Sequence, residues 1–137
     1  MNPEGYNPDI VVFLQCTSPL RGKDDIKNAI KLLIDNDKYN SVLSVTENYP
    51  FIWIKKNGEV MPLNQQYSEK RPMRQNREPE YIENGSIYVF RNKVFELSKN
   101  RTCGKRGIYI MPYEYSFDID TKFDLWLCEQ ILKRKKT

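Results

Sequence analysis

Hydrophobic positions along this chain change their period from stretch to stretch, and each change marks an element. Ile10 to Leu14 reads IVVFL, a continuous apolar run of strand length, the pattern of a strand covered on both faces in a parallel α/β sheet. A central strand needs neighbours on both sides and few candidates follow, so further strands are expected upstream of the polar turn at residues 1–9. Asp24 and Asp25 then open a helix whose apolar positions Ile26, Ala29, Ile30, Leu33 and Ile34 follow helical spacing to about Asn36. SVLSVT, at 41–46, reads as the next strand, so strand, helix and strand form one right-handed crossover unit. Residues 51–56 alternate apolar with polar, Asn57-Gly58 gives a strong hairpin signal, and 59–63 return as an antiparallel partner. From 64 to 80 the chain turns polar, with Lys70, Arg71, Arg74 and Arg77 among prolines and glutamines; a lid, a subunit arm and a solvated linker all fit such a stretch. YIENGSIYVF, at 81–90, restores strand character, followed by a short helix at 93–99 and a short strand at 108–111. A last amphipathic helix takes Phe123, Leu125, Trp126, Leu127, Ile131 and Leu132 as its apolar positions.

Composition narrows the possibilities. The 137 residues suit a single domain that buries about two thirds of its unfolded surface. Lys and Arg total 22 against 18 Asp and Glu, and the small excess gathers only at Lys133, Arg134, Lys135 and Lys136. Those cations close the last helix, where they meet the negative end of its dipole, so they read as a solvated helix end. No zinc-finger or RRM signature accompanies them and the aromatics lie in strands, which argues against nucleic acid. Cys16, Cys103 and Cys128 form no C-x-x-C pair, and the chain has no histidine. A reducing, cytoplasmic setting is therefore the default, with no secretory leader and no apolar run near membrane-spanning length. Without histidine, catalysis must rest on metal, carboxylates and cations.

Two stretches carry candidate chemistry. Asp118 and Asp120, in SFDIDTKFDL, would send both carboxylates to one face of an extended backbone, a pair of hard oxygen ligands suited to Mg²⁺. The competing reading is a helix start, with Thr121 as N-cap and the acids complementing the dipole. Gln15-Cys16-Thr17-Ser18-Pro19-Leu20-Arg21 leaves the carboxyl end of the first strand, where open α/β sheets bind ligands. It offers an amide, two hydroxyls and a guanidinium fork, or serves only as the turn that caps the next helix.

Taken in order, PDIVVFLQCTSPLR, RPMRQ, ENGSIYVF and FDIDTKFDL resemble the acylneuraminate cytidylyltransferases, the CMP-sialic acid synthetases and their relatives for legionaminic and other nine-carbon sugar acids. The resemblance runs from about Asn7 to near the C-terminus. It implies a doubly wound, mostly parallel α/β nucleotidyltransferase that joins CTP to a 2-keto sugar acid such as N-acetylneuraminate, releasing pyrophosphate. By matching positions, Asp118 and Asp120 look like Mg²⁺ ligands and Gln15 like a contact to the sugar acid. Arg74 and Gln75 match the R-Q of the family's arm, where Arg74 would pair with the sugar's carboxylate. Arg71 stands on the same arm as a further substrate-binding candidate. Asn84 would hydrogen-bond the sugar and Tyr88 would line its pocket. Residues 51–80 would form a homodimer interface, within a single domain over 1–137.

The departures from the family pattern set two expectations apart. The family's A-R-x-G-S-K-type loop, which cradles the CTP phosphates, has no counterpart in residues 1–9. One expectation is therefore an N-terminally truncated cytidylyltransferase domain, inactive in isolation; the other is a non-catalytic remnant that binds sugar acid or dimerises. Cys16 stands where the family has Pro, the stretch 49–52 lacks a lysine, and 103–106 lack aromatics found in some sialate-specific members, so the identity of the sugar acid stays open.

Overall fold

IVVFL folds as β1 (Ile10–Leu14) and pairs antiparallel with β5 (Tyr81–Arg91), with Val12 opposite Val89 and Phe13 opposite Tyr88. The computed structural model describes residues 5–63 and 71–135, so residues 64–70 of the predicted arm, Lys70 among them, and Lys136 of the basic tail lie outside the described residues. The chain divides into two compact units, one built from Met1–Thr46 and Glu83–Thr137, the other from Glu47–Ile82.

In the first unit a four-stranded sheet has the order β1-β5-β2-β6, with β2 at Ser41–Glu47 and β6 at Arg106–Ile110. β2 and β6 are parallel, Val42 opposite Gly107 and Val45 opposite Ile110. The sheet is therefore mixed, because β5 runs against β1, where the sequence pattern led us to expect mostly parallel pairing. No described α-helix lies between β2 and β5, and a helix is the usual crossover between parallel strands.

Helices cover both faces. α1 (Asp25–Ile34) sets Ala29 and Leu33 against Val42, Ile87, Val89 and Met111, while α2 (Asn92–Ser98) places Val94 and Phe95 beside Tyr88, Phe90 and Cys103. β5 therefore has apolar residues on both faces, which accounts for the unbroken run IYVF. β1 sits at the sheet edge among the described strands, with Phe13 42% and Leu14 39% exposed. Continuous apolarity thus marked a strand with two apolar faces but did not place it centrally.

α3 (Lys122–Lys135) departs further from expectation. Phe123 is 65% and Trp126 54% exposed, their rings 5.7 Å apart, and Cys128 is the fully buried apolar residue of the helix. Leu125, Trp126 and Leu127 are consecutive, so their side chains spread around the helix instead of forming one stripe.

In the second unit β3 (Trp53–Lys56) and β4 (Glu59–Pro62) form the expected hairpin, Lys56 opposite Glu59. Asn57 and Gly58 both take positive φ, 53° and 86°, as a tight primed turn requires.

Candidate active site

The local chemistry of ENGS begins with a break in β5. Gly85 has φ +69°, the left-handed conformation found at strand bulges. Side chains accept from the two backbone donors that follow: Ser86 N donates to Asn84 Oδ1 at 3.2 Å, and Ile87 N donates to Ser44 Oγ at 2.7 Å. Ser44 Oγ in turn donates to Asn84 Oδ1 at 2.6 Å, while Asn84 Nδ2 donates to Ser116 Oγ at 3.0 Å and to Met111 Sδ at 3.4 Å. All four hydrogen-bonding positions of the buried Asn84 amide are thereby used within the protein. Asn84 fixes the bulge and, through Ser116, the segment leading to the aspartates.

Gly85 also makes room for Gln15. A Cβ at position 85 would lie 2.8 Å from Gln15 Oε1, closer than real Cβ contacts allow. Behind Gln15, Arg21 Nη1 donates to Gln15 O at 3.0 Å and to Ser86 O at 3.2 Å. The guanidinium read as a possible anion contact is used to tie the β1 loop to the bulge.

The same loop holds the aspartate segment. Ile119 N donates to Thr17 O at 2.9 Å and Ser18 Oγ donates to Asp118 Oδ1 at 3.3 Å. Residues 116–119 carry no strand pairing, so the shared face expected of an extended run does not come from a sheet. The helix-start reading is borne out at its N-cap, Thr121, with Asp124 as the acid that serves it in place of Asp118 and Asp120. Asp124 Oδ2 accepts from Thr121 N and Thr121 Oγ1, each at 2.7 Å, and Asp124 N donates back to Thr121 Oγ1 at 3.2 Å. This reciprocal capping box holds the start of α3 with Thr121 and Asp124, and these bonds lower the pKa of the Asp124 carboxyl. The Asp118 and Asp120 carboxylates are not consumed by capping. Burial, with the charges of Asp124 and Asp118 beside it, raises the pKa of the Cys128 thiol, consistent with an inert core residue. Among the described residues no third Asp, Glu or Cys joins the pair as a metal-binding cluster.

Tyr88 lies buried on the opposite face of β5 from Ile87. Its hydroxyl donates to Glu83 Oε1, and its pKa is pushed up to about 12, by burial first and by the Glu83 contact second. The Arg101 guanidinium lies 4.2 Å from the Tyr88 ring centre and 5.2 Å from that of Phe13. Sequence reading gave Arg101 no role, since nothing in its neighbourhood marks a residue that stacks on rings from distant strands.

In the second unit, Arg74 and Gln75 occupy a single 3-10 turn, Arg74–Asn76. Arg74 Nη2 donates to Glu47 Oε1 at 3.1 Å, with its guanidinium 4.6 Å from the Tyr49 ring centre. Gln75 Nε2 reaches Met73 Sδ at 3.6 Å. Arg71 lies 5.1 Å from the Phe51 ring centre. Arg77, which the sequence listed only as one cation among several, organises this unit: its buried guanidinium donates to Tyr49 O at 2.8 Å, Pro50 O at 3.2 Å and Glu80 Oε2 at 2.6 Å. The structure thus joins Gln15, Asn84 and Asp118 by a chain of contacts in one unit, and places Arg71, Arg74 and Gln75 together in the other.

No protein-family model matches the chain. Individual relatives do. The chain is 36% identical over 138 residues to the N-acylneuraminate cytidylyltransferase of Oncorhynchus mykiss, an alignment covering 98% of this chain and 30% of that protein. It is 35% identical over 132 residues to N-acylneuraminate cytidylyltransferase A of Danio rerio, covering 92% and 30%. A bacterial relative, the N-acylneuraminate cytidylyltransferase of Streptococcus agalactiae serotype V, is 31% identical over 114 residues, covering 82% and 28%. The chain therefore spans about 30% of the length of these relatives.

Proposed function

We propose that this chain, similar over most of its length to N-acylneuraminate cytidylyltransferases, belongs with them and contributes the metal and sugar-acid side of a CMP-transfer site. The reaction joins CMP from CTP to a nine-carbon 2-keto sugar acid such as N-acetylneuraminate and releases pyrophosphate. The observation that carries this reading is the anchoring of the Gln15 loop to both the Gly85 bulge and Asp118, which brings three of the family-like motifs into one framework.

Asp118 and Asp120 would hold Mg²⁺. They offer hard oxygens, and the capping box has left their carboxylates available; an ion that keeps waters and substrate phosphates needs only one or two of them. When bound, the metal supplies charge neutralisation at the phosphate oxygens. Gln15 would hold the sugar acid by its amide, Tyr88 would wall the pocket, and Asn84 keeps the strand bulge that positions Gln15. Arg74 would receive the sugar's carboxylate, with Gln75 and Arg71 beside it on the same arm.

Other parts of the reading rest on coarser support. A doubly wound sheet in the whole enzyme is compatible with helices on both faces here. Homodimer formation through residues 51–80 is supported by the exposed Phe51, Ile52, Trp53, Val60 and Leu63. Cytoplasmic residence is supported by the three free cysteines. Calorimetry with N-acetylneuraminate, CTP and Mg²⁺ tests the proposal. Binding of the sugar acid that is lost in Gln15→Ala supports it, and no binding at millimolar sugar acid overturns it.

A further inference from the structure

The backbone around Asp118 is pinned on both sides. Ahead of it, Ser116 Oγ accepts from Asn84 Nδ2 at 3.0 Å and donates to Pro112 O at 2.9 Å; behind it, Ile119 N donates to Thr17 O at 2.9 Å. The side chain is held as well, because Asp118 Oδ1 accepts from Ser18 Oγ at 3.3 Å. Ser18 is itself fixed. It is 3% exposed, and its N–H donates to Gln15 O at 3.3 Å, so a closed turn delivers the hydroxyl. Asp120, two residues on, is held differently. It is exposed, its backbone N–H donates to Asp124 Oδ2 at 3.2 Å, and among the described residues no hydrogen bond reaches its carboxylate.

A carboxylate on an unrestrained side chain samples several rotamers, and a ligand that needs one of them must order it. A hydrogen bond from a buried hydroxyl does that ordering in advance and leaves the second oxygen open, as outer partners of metal ligands do. In Asp118 the Oδ1 atom is taken by Ser18, and among the described residues no hydrogen bond occupies Oδ2. We infer that Ser18 is a positioning residue for the proposed metal pair, presetting Asp118 as the fixed ligand while Asp120 is the adaptable one, ordered only when an ion arrives. This rests on the functional reading above and adds Ser18 to it, with a division of labour between two carboxylates that look equivalent in the sequence. Because Ser18 closes the turn that begins at Gln15, the same turn sets the proposed sugar-acid amide and the proposed metal ligand relative to each other.

The experiment measures Mn²⁺ binding by electron paramagnetic resonance, Mn²⁺ standing in for Mg²⁺, in wild type, Ser18→Ala and Ser18→Thr, with metal-free thermal unfolding recorded for each. Wild type is expected to bind. Ser18→Ala is expected to weaken binding about tenfold, the lower end for groups that orient a metal ligand, and Ser18→Thr, which keeps the hydroxyl, to retain most of the affinity. Both variants are expected to stay folded without metal, because the bonds from Ser18 N to Gln15 O and from Ile119 N to Thr17 O use no side-chain oxygen. Equal affinity in wild type and Ser18→Ala overturns the positioning role while the metal reading survives. An equal loss in Ser18→Ala and Ser18→Thr, or a Ser18→Ala protein that is unfolded without metal, overturns it too, since either result makes the role of Ser18 one of packing. If wild type binds no Mn²⁺ at millimolar concentration, the metal reading fails and this inference falls with it.

Discussion

Replacing Asn84 with alanine separates a positioning role from a ligand contact. The change removes an acceptor shared by Ser86 N and the Ser44 hydroxyl, and a donor to Ser116 and Met111, all within the buried part of the first unit. Ser116 keeps its bond to Pro112 O at 2.9 Å, and Ile87 N keeps Ser44 Oγ at 2.7 Å. Two donors are then left to find new partners, and the Ser86 backbone N–H cannot rotate to do so. A buried donor without an acceptor costs about 1–3 kcal/mol, so the variant should lose about 2–4 kcal/mol. That is a large share of the stability of a small protein, and for a chain of this length it corresponds to a fall in Tm of about 10 °C. Urea unfolding, followed by tryptophan fluorescence and by circular dichroism, measures the loss directly. If Asn84→Ala keeps its stability within about 0.5 kcal/mol yet loses sugar-acid binding, Asn84 contacts the ligand and the network argument is wrong.

Gly85→Ala should cost about 1–2 kcal/mol, because a side chain is forced into the left-handed region, and should weaken binding of the sugar acid in calorimetry, since the added Cβ meets Gln15 at 2.8 Å; unchanged affinity would detach Gln15 from the proposed site. Tyr88, with its pKa raised to about 12, favours the folded state while protonated, so its contribution is complete below about pH 10 and lost as pH climbs through about 12. Tyr88→Phe should flatten that alkaline decline in denaturation midpoints, and an identical decline in both proteins would refute the assignment. The carboxyl of Asp124 titrates below its ordinary value, so its contribution to the start of α3 is complete above about pH 4 and disappears as pH falls through the lower folded value. Protection of the amides in the first turn of α3, relative to their intrinsic exchange rates, should therefore fall on acidification in wild type, and be low and much less pH-dependent in Asp124→Asn.

Much of the backbone was legible in the sequence because periodicity reports local geometry. The IVVFL strand, the α1 stripe from Ile26 to Ile34 and the Asn57-Gly58 hairpin all formed near their expected positions. What the sequence could not convey was which apolar residues find partners. Trp126 and Phe123 carry a hydrophobic signal wherever they point, and only tertiary contacts show that they face outward. The candidate site divides along the same line. Asp118, Asp120 and Gln15 belong to recognisable stretches, whereas Arg101 over Tyr88 and Ser18 on Asp118 join residues about a hundred positions or a whole strand apart. Asn84 was singled out by its motif, and that its amide is saturated internally is visible only when all four partners are placed.

The most direct test of the central claim is sugar-dependent pyrophosphate release from CTP by the complete enzyme and its Asp118→Asn variant, across a Mg²⁺ titration. The account predicts that wild type releases pyrophosphate only with both sugar acid and Mg²⁺, and that the variant folds normally but loses at least about a hundredfold in rate, as expected when charge stabilisation in the transition state is removed. Turnover in Asp118→Asn equal to wild type, with the same Mg²⁺ dependence, would contradict it.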